Sequence, residues 1–189
     1  MGNVSSKIGT IGYRCGLAAA AATLAFVVAQ TAQLAGVVRY PLDEVLIYGT
    51  SLCIVIPFML EMLALHHLTE PVRRFWTHGA LLFTVVYAVF VVANYVVQLA
   101  TVIPARQSGA AAGIEILEQT PHSLFWNFDA IGYISMGLAT LMAVPALRDS
   151  GLERFAKWSL LAHALVAPLF MTFLALTLPK RTTIAGSDW

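Results

Sequence analysis

A chain of 189 residues that is 59% hydrophobic, only 11% charged and carries a net charge of +1 does not read as a soluble domain, where about a quarter of residues are charged. Its mean hydropathy is +0.77. The near-neutral balance excludes the basic footprint of a nucleic-acid binder, and two cysteines in different apolar stretches, Cys15 and Cys53, do not make a disulfide framework.

Five apolar stretches carry most of the hydrophobic residues, with the charge held in the gaps. Each has on the order of 20 residues or more, enough to cross a hydrocarbon core about 30 Å thick. Within lipid the backbone must satisfy its own hydrogen bonds, which leaves helices and closed barrels. Barrel strands are about ten residues long and alternate in polarity, and these stretches do neither. The predicted fold is all-α, a single domain over residues 1–189 built as an integral membrane bundle of five transmembrane helices.

The first span covers 13–38 and ends at Arg39. Its apolar region is longer than the core of a signal peptide, so it reads as a retained anchor. The start Met1-Gly2-Asn3-Val4-Ser5-Ser6 matches the N-myristoylation pattern, an acyl chain that a chain already held by several spans would gain little from. The small-residue run from Gly16 to Ala22 could dock on a partner membrane subunit. Gln30 and Gln33 lie in its outer half.

The second span, 45–66, contains Tyr48 near one end, Glu61 near the other and Pro57 between them, where proline should kink the helix. The third, 79–103, is closed by Pro104. It places Thr84, Tyr87, Asn94, Gln98 and Thr101 at steps that fall on one stripe at 100° per residue. Lipid cannot hydrogen-bond Asn94 or Gln98, so the stripe faces other helices or water. It is either interhelical glue or the wall of a polar cavity. In the long gap that follows, 108–119 places Ile114 and Leu117 on one helical face. Either a surface-lying helix or a loop fits there.

The fourth span, 126–147, puts Asp129 and Tyr133 four residues apart on one face, with Gly132 and Gly137 allowing close approach of a neighbour. The fifth, 155–178, carries His163 about two turns in. Glu61 and His163 have matching depths. As a pair they could relay protons, bind a cation or form only a structural hydrogen bond. The histidines do not share a face with Glu61 in the manner of H-E-x-x-H, so no metal site is expected. His163 lacks a partner for haem, and no cofactor follows from the sequence.

Basic residues set the orientation. Lys7, Arg14, Arg73, Arg74, Arg148, Arg154 and Lys157 share one side of a five-span topology. Arg39, Arg106, Lys180 and Arg181 share the other. Seven against four puts the N-terminus in the cytoplasm and the C-terminus outside. Gln30, Gln33, Tyr48, Asn94, Gln98, Asp129 and Tyr133 then lie at similar depth in the outer half. That is the basis for a polar pocket in which Asp129 orients a cationic or hydrogen-bonding ligand.

The stretch 127–146, opening Asn127-Phe128-Asp129-Ala130-Ile131-Gly132-Tyr133, together with Gly151-Leu152-Glu153-Arg154-Phe155-Ala156-Lys157-Trp158, resembles a group of small multi-pass bacterial membrane proteins mostly described as uncharacterised. The resemblance covers about the last third of the chain and implies a bacterial inner membrane. It supplies no substrate and no functional residues. The residues support three readings. The first is a protein that binds or moves a small ligand in the outer pocket. The second is an accessory subunit of a larger membrane complex. The third is a membrane-embedded acid–base enzyme using Glu61 and His163, or Asp129 and Tyr133.

Overall fold

The computed structural model describes residues 2–110, 112–120, 123–165 and 169. All regular structure among them is helical: α1 (Gly2–Leu34), α2 (Leu42–Leu68), α3 (Arg74–Val97), α4 (Ile103–Gln107), α5 (Leu124–Ala143) and α6 (Gly151–Ala164). Four segments are long and apolar enough to cross a membrane: Val4–Leu34, Leu42–Leu68, Pro71–Gln107 and Leu124–Ala146. The expected fifth span is described only through its first part, as α6. Residues 166–168 and 170–178 of that span, and the Lys180–Arg181 pair, lie outside the described residues.

The helices pack in sequence order, α1 on α2, α2 on α3, α3 on α5 and α5 on α6. Short connections enforce this order between α1 and α2, α2 and α3, and α5 and α6, while a longer link over 108–123 precedes α5. After α1 the chain reverses at Gly36, whose φ of 69° suits a residue without Cβ. Ser123 caps α5 by accepting a hydrogen bond from the Trp126 backbone N–H at 3.0 Å.

Between apolar helices in lipid, van der Waals contact and polar bonds replace the hydrophobic drive. The contacts reflect that. Ala80, Ala139 and Ala143 are buried at the centre, and a Cβ on Gly132 of α5 would stand 2.8 Å from Val91 Cγ2 of α3. On α1, a Cβ on Gly12 would stand 2.7 Å from Ala64 Cβ. The small-residue face of α1 therefore serves, in part, contact with α2 within the chain. Leu24, Val28, Val85 and Val89 project outward, as lipid-facing side chains do.

Two sequence expectations fail in α3. The helix does not stop at Pro104. Gln98–Val102 forms a single π-helical turn, in which the Ile103 N–H donates to Gln98 O, and α4 follows directly with Pro104 in its first turn. In a regular α-helix a proline ring crowds the carbonyl four residues earlier; here that residue, Ala100, lies within the wider turn. The same turn carries an extra residue, so the stripe loses its phase. Thr84, Tyr87, Asn94 and Gln98 are buried as expected, whereas Thr101 is exposed and Val102 takes the inward position. By contrast α2 stays helical through Pro57.

The segment 112–120 is built of turns and bends, with no surface helix. It folds inward because Gln98 Nε2 donates to Leu117 O at 2.6 Å and Arg106 pairs with Glu118.

A candidate polar chamber

The α3–α5 interface brings three of the expected residues together. Asn94 Nδ2 donates to Asp129 Oδ1 at 3.2 Å, and Gln98 Nε2 approaches Asn94 Oδ1 at 3.4 Å. Asn94 and Gln98 are one turn apart on α3, so their amides stack along the helix and end on a carboxyl from α5. All three are buried, Asn94 completely. The Tyr95 hydroxyl and the Gln119 amide also face Asp129. Tyr133 meets Tyr95 through their hydroxyls at 3.0 Å, and Tyr48 stacks on Tyr95 with ring centroids 5.3 Å apart. The partners of Asp129 are neutral donors. A carboxyl at this depth is costly unless such groups or a cation compensate it.

Beside this network, next to the 112–120 segment, lies a cavity of about 60 Å³ lined by Tyr48, Gln98, Gln119, Glu44, Glu118 and Arg106, among others. A water needs about 10–15 Å³ by this kind of measure. The space therefore holds a few waters or one ammonium-sized ion. Arg106 stands at its rim, 2.8 Å from Glu118 and 3.7 Å from Glu44. The Arg106 guanidinium holds the Glu118 carboxyl below the ordinary glutamate value. In the wall, Gln119 Oε1 is buried without a hydrogen-bond partner among the described residues. A buried acceptor left unsatisfied costs roughly 1–3 kcal/mol.

The seven expected ligand-binding residues therefore separate into three groups. Tyr48 and Gln98 line the cavity. Asn94, Asp129 and Tyr133 form the hydrogen-bonded layer behind it, and Asp129 is not part of the cavity lining. Gln30 and Gln33 lie elsewhere. Gln30 Nε2 donates to Gln33 Oε1 at 2.9 Å, and Gln33 Nε2 donates to Asp43 Oδ2 at 2.9 Å. Among the described residues α1 packs chiefly on α2, so its glutamines are confined to that interface.

Glu61 and His163, the expected acid–base pair, have different neighbours. His163 Nδ1 lies 3.2 Å from Thr140 Oγ1 on α5. The Glu61 carboxyl turns to α1, where a Cβ on Gly16 would stand 3.0 Å from Glu61 Oε1. No described group of three or more His, Cys, Asp or Glu side chains could hold a metal ion.

Sequence reasoning missed Tyr95, Glu44, Arg106, Glu118 and Gln119. Tyr95 had a usable signal: it follows Tyr87 by eight residues, within about 80° on the helix. The loop residues had none, because only the inward fold of 112–120 brings them to the cavity.

The fold and chamber together define an all-helical bundle with four helices long and apolar enough to span a membrane and a charged, buried-amide cavity at one end. No protein-family model matches the sequence, and no curated protein or solved structure is significantly similar to it.

Proposed function

We propose that this chain is a five-span protein of a bacterial inner membrane, N-terminus cytoplasmic, that binds or moves a small hydrogen-bond-donating cation through its outer-half chamber. The single observation that carries the reading is Gln119, a residue of the cavity wall whose buried Oε1 has no hydrogen-bond partner among the described residues, beside the carboxyls of Glu44 and Glu118. Such a wall asks for a donor. Two carboxyls against one guanidinium favour a positive one. The cavity volume restricts it to about the size of ammonium or methylammonium. Asn94 and Asp129 fix the pose of Gln98, and the Arg106–Glu118 pair closes the rim.

Thermal unfolding in mild detergent at constant ionic strength tests this. Ammonium and methylammonium chloride are expected to raise the midpoint saturably, while sodium and tetraethylammonium chloride do not. Gln119→Leu is expected to abolish the response. An ammonium response indistinguishable from sodium, or one retained in a Gln98→Leu/Gln119→Leu variant, overturns the reading.

A further inference from the structure

The bundle leaves a second opening, away from the chamber, between α1, α2 and α6. It is a cleft of about 660 Å³ walled by Gly12 and Gly16 of α1, Leu65 and Leu68 of α2, and Ala156 and Leu160 of α6. That volume falls within the ~300–1,000 Å³ of sites that enclose a small organic molecule. Its lining is almost wholly apolar. Tyr13 and Ser159 also line it, and the Ser159 hydroxyl is already spent on Phe155 O at 3.0 Å.

One acidic side chain enters the cleft, Glu61. Gly16 gives its carboxyl room on the α1 side, since a Cβ there would crowd Glu61 Oε1 at 3.0 Å. Among the described residues the Glu61 carboxyl makes no hydrogen bond or ion pair. The histidine at matching depth is held by Thr140 instead. An apolar cleft with one bare carboxyl has a definite complement. The occupant must be apolar along its body and carry a cation that donates hydrogen bonds. An anionic phospholipid brings a phosphate and no ammonium, and the carboxyl repels it. A plain acyl chain leaves the carboxyl alone in hydrocarbon, where an acid needs a partner.

We propose that this cleft is a binding site for a lipophilic primary amine drawn from the bilayer, its alkyl body along Leu65, Leu68 and Leu160 and its ammonium group on Glu61. Gly16 is a positioning residue that leaves space for the ion pair.

Photolabelling of the full-length protein in lipid nanodiscs, with dodecylamine carrying a terminal diazirine and with the matching dodecanol probe, tests the site. The amine is expected to label cleft residues of α2 and α6, and unlabelled dodecylamine is expected to compete about tenfold better than dodecanol. Glu61→Gln is expected to reduce amine labelling to the alcohol level. Ser159→Trp, which fills the cleft while leaving residue 61 as Glu, is expected to remove labelling by both probes. Labelling equal for amine and alcohol, or unchanged by Glu61→Gln, overturns the proposal. So does labelling spread evenly over the outward faces, or a cleft occupied by a second copy that cross-links there.

Discussion

The buried amide–carboxyl network ties stability and site to a few atoms. Asn94 donates to Asp129 and faces Gln98, so it serves two partners at once. Asn94→Leu removes one of the donors to Asp129, which keeps Tyr95 and Gln119, together with one acceptor of Gln98, and is expected to cost about 1–3 kcal/mol. Asp129→Leu strands the Asn94 amide and is expected to cost a similar amount. The double variant replaces both partners with apolar groups and is expected to cost less than the sum. Reversible unfolding in detergent measures the cycle, and strict additivity would mean that the 3.2 Å contact carries no energy. At the rim, the Arg106 guanidinium sets a pH dependence. The folded-state value of Glu118 lies below the ordinary 4.5, so the ion pair contributes its stability above that value. It loses it as pH falls through the folded-state value. Both side chains are partly solvated, which limits the pair to on the order of 1 kcal/mol or less. Glu118→Gln is therefore expected to flatten the thermal midpoint between neutral and acidic pH relative to the unsubstituted chain.

Among the elements, α3 shows what a periodic reading captures and where it stops. The positions of Thr84, Tyr87, Asn94 and Gln98 follow from 100° per residue because that stretch is regular α-helix. Thr101 does not, because one π turn adds a residue and brings Val102 inward. Sequence pattern does contain a hint of that turn: Pro104 within a long apolar run must either end the helix or be accommodated, and the two outcomes look alike in one dimension. The convergence of Asn94, Gln98 and Asp129 was legible from depth and phase. The separation of Gln30 and Gln33 was not, because depth alone does not say which helix neighbours which. Loop residues such as Gln119 have no period at all. The link between the π turn and the proline is testable. Deleting Ala100 restores a regular α-helix and places the Pro104 ring against a carbonyl. It is expected to destabilise the protein by about 3 kcal/mol. Adding Pro104→Ala is expected to recover most of that loss. If the deletion costs the same with and without the proline, the turn is there for another reason, such as placing Arg106 at the chamber rim.

For the whole molecule, the meaning of the chamber depends on which side it faces. Cytoplasmic loops are enriched in Lys and Arg, and short loops flanking the spans dominate that bias. Arg73 falls between α2 and α3, Arg74 opens α3, and Arg148 falls between α5 and α6, where it pairs with Glu70. Those turns share one end of the bundle, and the chamber with the 112–120 loop lies at the other. A chain lacking Cys15 and Cys53, with single cysteines introduced by Val72→Cys or Ala112→Cys, separates the two ends, since both positions are exposed. With a membrane-impermeant maleimide, Ala112→Cys is expected to react in intact cells, and Val72→Cys only after permeabilisation. A reporter fused after residue 189 then counts the spans. Activity outside, on the Ala112 side, means that the chain crosses once more beyond α5, as the proposed five-span topology expects. Activity on the Val72 side leaves four crossings and returns the chain end to the cytoplasm. The reverse labelling pattern would turn the chamber inward, so a cation bound there would be drawn from the cytoplasm.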